Sequence, residues 1–274
     1  MSDAPPSPIW IAQAQQWARI GPPLRPSRAD VAIVEELVRA RSKPRVLLLG
    51  VTPEIATLSW PAGTTLVAVD RSEGMIATVW PKQGTPEGAR AICADWCAMP
   101  LEDASIDVVV GDGALNALSS SAQYEPFTRE LRRVLDDSGL VHLRVFVSPA
   151  VRESLEDVAA DLRAGRIRNF HALKWRIAMA VPTTIERGTV LDEVWRSFRS
   201  ICPDDDAVAA QVGCDRATVE TIHTYRGTSA SYTFPTLAEI RAAFASRFVE
   251  ESIVTPAYEL GERCLSFAFR ARAS

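Results

Sequence analysis

No part of the sequence has an apolar run long enough to cross a membrane. The chain has 274 residues, of which 47% are hydrophobic and 23% charged, proportions typical of globular proteins. Its apolar runs fall short of the roughly 18 residues that a spanning helix requires. Residues 1–20 also lack the basic start and apolar centre of a signal peptide. We therefore expect a cytoplasmic protein that does not bind membranes.

The sequence also lacks an excess of positive charge and a set of paired metal ligands. Its 30 basic and 34 acidic side chains give a net charge of −4, so no overall attraction favours nucleic acid as a partner. The five cysteines are an odd number at wide spacings, which favours reduced thiols over a disulfide framework. Cys93 and Cys97 have three residues between them, but no second cysteine or histidine pair completes a zinc site. We expect no metal.

Residues 45–54 are the most informative stretch of the chain. Residues 46–49 form an uninterrupted apolar run, which is typical of a strand buried on both faces of a parallel sheet. After this strand, Thr52 is suited to cap a helix, Pro53 to its first position, and Glu54 to the positive end of its dipole. The stretch predicts a strand, a tight turn and a helix start, which is where an open α/β sheet binds small ligands.

A second predicted strand, residues 65–69, ends at Asp70, which lies 20 residues beyond Gly50. An acid at this strand tip is placed to accept hydrogen bonds from a ribose diol, and therefore indicates an adenosine-containing ligand. A nicotinamide dinucleotide is an alternative, but its fold requires G-x-G-x-x-G so that the backbone can approach the pyrophosphate. Here Val51 would obstruct that approach, and Pro53 has no N–H to donate.

Alternating strands and helices through residue 147 predict a doubly wound, mostly parallel sheet. A helix before the fifth strand is expected to end at Gly139 in a left-handed conformation. Two strands near the end of the chain are joined by too few residues for a crossover helix, so they are expected to form an antiparallel hairpin. The fold class is therefore α/β, a Rossmann-like sheet of seven strands with a C-terminal antiparallel hairpin and a helical insertion. The predicted strands are residues 46–49, 65–69, 90–94, 105–111, 140–147, 247–255 and 262–271.

These patterns divide the chain into four parts. Residues 1–44 are N-terminal helices that flank the site, and residues 45–147 are the ligand-binding core. Residues 148–235 are a helical insertion, and residues 236–274 contain a final helix and a strand pair. In the first segment, Trp10, Trp17 and Arg25 are large groups that either fold over the ligand mouth or serve helix packing.

Several stretches resemble, in the right order, motifs of the class I S-adenosylmethionine-dependent methyltransferases. They are residues 46–50, 67–70 with Ser72 and Met75, 94–96, 99–101, 103–110, 111–116, and 130–135 before Gly139. The resemblance implies S-adenosylmethionine as the cofactor and methyl transfer as the activity. That family usually carries several glycines after the first strand, whereas Val51, Thr52 and Pro53 follow Gly50 here.

The resemblance also implies which residues hold the cofactor. Asp70 would bind the ribose hydroxyls, residues 95–96 would flank the adenine, and residues 111–113 would back the methionine portion. The full set of implied cofactor-binding residues follows the strand tips: Gly50, Val51, Thr52, Pro53, Glu54, Asp70, Arg71, Met75, Asp95, Trp96, Gly111, Asp112 and Gly113.

The acceptor of the methyl group is expected to lie under the helical insertion. On a helix beginning near residue 169, His171, Lys174 and Trp175 share one face, which is suited to an anionic or aromatic acceptor. We predict His171 as a general base, and Lys174 and Trp175, with Asn116 at the fourth strand tip, as acceptor-binding residues. The alternative is a packed helix with a solvated lysine. Since the insertion is large, we expect the acceptor to be a small molecule enclosed from water.

Two further functions remain open from the sequence. A protein that binds S-adenosylmethionine without catalysis would serve as a sensor. Residues 208–222 have helix-turn-helix spacing, with Gly213 at the turn, so a DNA-binding regulator acting through residues 204–225 is the other alternative. Asp215 and Glu220 on the would-be recognition helix repel phosphate and weigh against it.

Overall fold

The computed structural model describes residues 8–272 and contains one seven-stranded mixed sheet and one two-stranded sheet. The strands are β1 (Arg45–Leu49), β2 (Thr65–Asp70), β3 (Arg90–Cys93), β4 (Ile106–Asp112), β5 (Leu135–Phe146), β6 (Thr189–Val190), β7 (Ser231–Tyr232), β8 (Phe248–Val254) and β9 (Cys264–Ala271). The order in the large sheet is β3-β2-β1-β4-β5-β9-β8. Strands β1 to β5 pair in parallel, whereas β9 runs antiparallel to both β5 and β8. The predicted Rossmann-like α/β fold with its C-terminal hairpin is confirmed.

Helices cover both faces of the sheet and fill the region between β5 and β8. They are α1 (Pro8–Gln15), α2 (Arg28–Arg39), α3 (Pro53–Ala56), α4 (Glu73–Val79), α5 (Tyr124–Val134), α6 (Leu155–Arg163), α7 (Phe170–Ala180), α8 (Leu191–Ile201), α9 (Asp205–Val212), α10 (Arg216–Glu220) and α11 (Leu237–Phe244). Within residues 8–272, none of the helices is long and apolar enough to cross a bilayer.

Strand β1 lies in the interior of the sheet, between β2 and β4, and its side chains are apolar on both faces. Leu47 and Leu49 pack into the hydrophobic core on one face, and Val46 and Leu48 into the core on the other. Leu49 lies beside Val69 of β2 and beside Gly111 of β4. The residues that follow these three parallel strands therefore meet at one edge of the sheet.

The segment between β5 and α11 has a hydrophobic core of its own. Helix α7 lies in this core, and of its residues only Arg176 is not buried. The expectation of a solvated lysine on this helix is therefore wrong, since Lys174 is only 2% exposed. The insertion also contains β6 and β7, which pair antiparallel, so it is not wholly helical.

The turn before β5 differs from the sequence-based expectation. Helix α5 ends at Val134, and Leu135 already has extended backbone angles. The pairing register between β4 and β5 shifts here, and Gly139 is not in the left-handed region. A Cβ on Gly139 would lie 2.9 Å from the carbonyl oxygen of Asp136. Glycine is therefore required at this position by a close backbone approach and not by a positive φ.

Candidate functional site

A cavity of about 400 Å³ lies at the carboxyl ends of β1, β2 and β4, a volume within the usual range for small-ligand sites. Its floor is formed by strand tips. Its roof is formed by the N-terminal segment around α1 and by the insertion, with Trp10 and Trp17 from the former and Lys174 and Trp175 from the latter. The fold thus brings three distant parts of the chain around one space.

Most of the predicted cofactor-binding residues line the floor. These are Gly50, Val51, Thr52, Asp70, Arg71, Met75, Trp96, Asp112 and Gly113, and Ser72 joins them. The cavity wall does not include Pro53, Glu54, Asp95 or Gly111. A Cβ on Gly111 would lie 2.8 Å from the Leu143 side chain, so this glycine allows close packing inside the sheet.

Asp70 presents one carboxylate oxygen to the cavity. Its Oδ1 accepts a hydrogen bond from the Ser72 backbone N–H at 2.8 Å, while Oδ2 has no hydrogen-bond partner within the described chain. Burial raises the pKa of Asp70 to about 6. Gly50 has φ +90°, and a Cβ there would lie 3.8 Å from Oδ2. The turn after β1 therefore leaves the space in front of this acceptor open without the usual run of glycines.

Three predicted residues, Arg71, Asp95 and Trp96, form the rim of the floor. Arg71 donates from Nη2 to Asp95 Oδ2 at 2.7 Å, and both side chains are about half exposed. Trp96 donates from Nε1 to the Val69 carbonyl oxygen at 2.6 Å, which fixes its indole at the end of β2. Asp95 therefore supports the cavity edge through Arg71.

Arg25 and Glu54 tie the roof to the floor. Arg25 Nε donates to Glu54 Oε1 at 2.7 Å, and Nη1 donates to the Trp17 carbonyl oxygen at 2.8 Å. Its guanidinium lies 4.8 Å from the centroid of the Trp17 ring. Trp10 and Trp17 line the cavity, so the N-terminal segment does fold over the mouth. Glu54 anchors this segment and is not part of the cavity wall.

A buried ion pair lies behind the floor. Arg144 on β5 donates from Nε to Asp112 Oδ1 at 2.6 Å, with side-chain exposures of 2% and 7%. Its Nη1 donates to the Pro23 carbonyl oxygen at 2.7 Å and to the Tyr258 hydroxyl at 3.1 Å. Tyr258 in turn donates to Asp30 at the start of α2. Burial raises the pKa of Asp112, and Arg144 opposes that shift. The pair fixes the end of β4 and the connector after α1 together.

Aromatic rings enclose the other half of the cavity. Trp175 has its ring centroid 5.1 Å from that of Phe146 and 5.6 Å from that of Tyr232. Trp10 lies edge-on to Tyr232 at 5.9 Å, and the hydroxyl of Tyr232 accepts a hydrogen bond from Gln13 at 3.3 Å. Offset and edge-to-face contacts of this kind hold rings rigidly. This half is therefore shaped for a flat apolar body.

Lys174 lines the same half of the cavity and has no acidic partner. Its Nζ lies 5.1 Å from the centroid of the Tyr225 ring, and no ion pair or hydrogen bond engages it anywhere in residues 8–272. Burial lowers the pKa of Lys174 to about 7. A buried ammonium without a counter-ion is costly, and burial therefore favours the neutral amine.

His171 lies one helical turn before Lys174 but is outside the cavity wall. Its ring faces Gly21, whose Cβ position would lie 3.8 Å from Nε2. Burial and the neighbouring Lys174 lower the pKa of His171 to about 3. Helical spacing correctly groups the two side chains on one face, but the connector around residues 19–21 covers the first turn of α7.

Tyr225 and Tyr232 complete the wall and carry no sequence signal beyond their residue type. Tyr225 follows the stretch with helix-turn-helix spacing, in which α10 has five residues and runs into a 3₁₀ turn, Thr221–Tyr225. Thr221 and Tyr225 face the cavity, while Arg216 is paired with Asp206 and Glu220. This stretch therefore packs as part of the cavity wall.

Asn116, predicted at the fourth strand tip, lies between the two halves of the cavity. Its side-chain nitrogen donates to the carbonyl oxygens of Phe146 and Thr233, both at 2.8 Å, and its Oδ1 accepts from the Phe146 N–H at 2.9 Å. The amide is thus saturated by the backbone, and it links β5 to the strand region of the insertion.

Comparison with known proteins identifies one domain family and many related structures. A family model described as a methyltransferase domain matches residues 47–143. No curated protein shows significant sequence similarity to the chain. A structure of S-adenosylmethionine-dependent methyltransferase from Methanosarcina mazei is 14% identical over 88% of this chain and 96% of that one, with a TM-score of 0.52.

Two further structures show the same fold. A putative methyltransferase from Haloferax volcanii, in complex with the activator Trm112, is 14% identical over 97% of this chain and 95% of that one, with a TM-score of 0.53. The 1,6-didemethyltoxoflavin N1-methyltransferase of Burkholderia thailandensis, with its substrate and S-adenosylhomocysteine bound, is 14% identical over 89% of this chain and 76% of that one, with a TM-score of 0.50.

Proposed function

We propose that this chain, which contains a methyltransferase domain at residues 47–143 and has the fold of S-adenosylmethionine-dependent methyltransferases, methylates a small aromatic molecule enclosed in the cavity. The observation that carries this proposal is the aromatic half of the cavity, built from Phe146, Trp175 and Tyr232 beside the strand tips. A similarly folded enzyme from Burkholderia thailandensis holds 1,6-didemethyltoxoflavin. The covered cavity favours such an acceptor over a polymer.

The floor of the cavity fits the cofactor. Asp70 offers an unengaged carboxylate oxygen for the ribose hydroxyls, and Gly50 has no side chain to obstruct it. Met75 and Trp96 provide apolar surface for an adenine ring. Gly113, which has φ +63°, follows the Asp112–Arg144 pair and would lie behind the methionine portion.

The proposed catalytic role of the chain is to align the acceptor with the methyl group of the cofactor and to exclude water. Bound S-adenosylmethionine supplies a methyl group on a positively charged sulfur, which needs only a correctly placed nucleophile. The rings of Trp175 and Tyr232 hold the acceptor in one plane, and the N-terminal segment with Trp10 and Trp17 covers it. Arg25 and Glu54 keep that cover in place, since they join it to the start of α3.

The direct test is a transfer assay with the full chain. The protein is incubated with S-adenosylmethionine and a panel of small phenols, aromatic acids and nitrogen heterocycles, and S-adenosylhomocysteine is measured with the mass of the acceptor. We expect methylated product from members of this panel. Transfer to added RNA, DNA or protein, with no small acceptor methylated, would overturn the proposal.

Asp70→Ala is expected to weaken binding of S-adenosylhomocysteine by about 1–3 kcal/mol, because the ribose hydroxyls lose their acceptor. The pKa of Asp70 is about 6, so we also expect wild-type affinity to decline as the pH falls below that value and the carboxylate is protonated. The variant should lack this decline. Isothermal titration at several pH values measures both effects.

The matched control for that experiment is Asp103→Ala. The Asp103 side chain is 80% exposed and pairs with Arg133 away from the cavity, so affinity should be unchanged. Equal affinity of Asp70→Ala and the wild type, in folded protein, would rule out Asp70 as the ribose ligand.

A further inference from the structure

We propose that the acceptor is an aromatic acid whose negative group pairs with the Lys174 ammonium while its ring lies among Trp175, Tyr225 and Tyr232. This inference rests on the proposed function and deepens it by naming the acceptor class. It starts from one observation: Lys174 is 2% exposed, lines the cavity, and has no ionic partner in the part of the chain that the structure describes.

The surroundings of Lys174 contain no negative charge that could neutralise it. The titratable groups around it are His171 on its own helix, Tyr225 on the 3₁₀ turn and Tyr232 on β7. Burial raises the pKa of Tyr232 to about 12 and that of Tyr225 well above its ordinary value, so both phenols are neutral at pH 7. His171 is neutral as well, since its pKa is about 3. The missing counter-charge therefore has to arrive with a ligand.

Apart from Asp70, whose free oxygen is assigned to the ribose, the acids and arginines of the cavity are already engaged. Asp112 is paired with Arg144 and Arg71 with Asp95, while Arg25 is held by Glu54 and lies outside the wall. Lys174 is therefore the one cation among the described lining residues that is free to bind an anion. Because Nζ lies beside the Tyr225 ring, we assign that anion to the acceptor.

The shape of this half of the cavity adds the aromatic requirement. Tyr225 presents its ring face to the ammonium at 5.1 Å, which stabilises the cation before the acceptor arrives. Trp175 is nearly perpendicular to Tyr232, with an interplanar angle of 88°. A flat ring carrying a carboxylate or a phenolate matches both features. An ionised acceptor of this kind needs no protein base to remove a proton, consistent with the absence of His171 from the wall.

The test uses a pair of probes that differ in charge and hardly in shape, 2-naphthoate and 2-naphthamide. Their binding to the full chain is measured by titration calorimetry in the presence of S-adenosylhomocysteine. We expect the wild type to bind the acid at least ~10-fold more tightly than the amide, in line with a charge-assisted contact. Lys174→Met should remove this preference, Lys174→Arg should keep part of it, and Lys82→Met, at an exposed position, should leave it unchanged.

Repeating the titration in buffers of different ionisation enthalpy adds a second readout. The pKa of Lys174 is about 7 in the free protein, and a bound anion favours the charged form of its side chain. We therefore expect the protein to take up a fraction of a proton when it binds the acid, and none when it binds the amide. Uptake should disappear in Lys174→Met.

Several outcomes would overturn the inference. These are equal affinity for the two probes in the wild type, no binding of the acid, or a preference that survives Lys174→Met. Loss of S-adenosylhomocysteine affinity in Lys174→Met would also overturn it, because the ammonium would then hold the carboxylate of the cofactor. The two proposals can fail separately. Methyl transfer to neutral small acceptors, with no preference for acids, would support the proposed function and refute the present inference.

Discussion

Arg144→Met is expected to lower the free energy of unfolding by about 3–5 kcal/mol, the usual cost of removing one partner of a buried ion pair. Asp112 would then be buried without a counter-charge, because Arg144 is the group that opposes the effect of burial on its pKa. The Pro23 carbonyl and the Tyr258 hydroxyl would lose their shared donor as well. Chemical denaturation with urea measures the change.

The pH dependence of this variant separates lost charge from lost packing. Without Arg144, the folded-state pKa of Asp112 rises further above the unfolded value, so a proton bound at low pH relieves the unpaired charge. We therefore expect the deficit relative to the wild type to shrink as the pH is lowered. The double variant Arg144→Met with Asp112→Asn should recover part of the loss at neutral pH.

Arg129→Met is the matched control. Arg129 pairs with Glu125 on the surface of α5, with side-chain exposures of 60% and 56%, and such pairs contribute less than about 0.5 kcal/mol. A cost for Arg144→Met no larger than that of this control would contradict the structural role of the Arg144–Asp112 pair.

Lys174→Met is expected to raise the free energy of unfolding by on the order of 2–4 kcal/mol at pH 6, because it removes an uncompensated buried charge. Methionine retains an unbranched apolar stem of similar length, so packing against Tyr225 is preserved. Thermal and urea unfolding without ligands are the measurements. A gain in stability together with a loss of acid binding is typical of a residue kept for function.

The pH dependence of the wild type follows from the same group. The pKa of Lys174 is about 7 in the folded chain, below its ordinary value of 10.5, so the unfolded chain binds more protons between these two values. Unfolding free energy of the wild type should therefore rise from pH 7 towards pH 10.5 relative to that of Lys174→Met. Parallel stability curves, or a destabilised variant, would show that the ammonium is compensated in the folded protein.

Local sequence signals are sufficient to predict the core of the fold. Residues 46–49 are apolar at every position, which is typical of a strand covered on both faces. The interior position of β1, between β2 and β4, agrees with this pattern. Asp70 at the end of β2, Gly50 at the turn and Pro53 at the start of α3 are local signals as well, since each depends on backbone geometry within a few residues. Such signals indicate an adenosine-containing ligand, and the resemblance to a family of methyltransferases implies S-adenosylmethionine.

The aromatic half of the cavity, in contrast, is built by contacts between distant segments. Helical spacing predicts that His171 and Lys174 share one face of α7. The connector at residues 19–21, about 150 positions earlier in the chain, covers His171, whereas Lys174 lines the cavity. Tyr225 and Tyr232, near the end of the insertion, line the same cavity. The residues next to them in the sequence do not predict this position. Contacts between residues this far apart depend on packing of whole segments, which local periodicity does not encode.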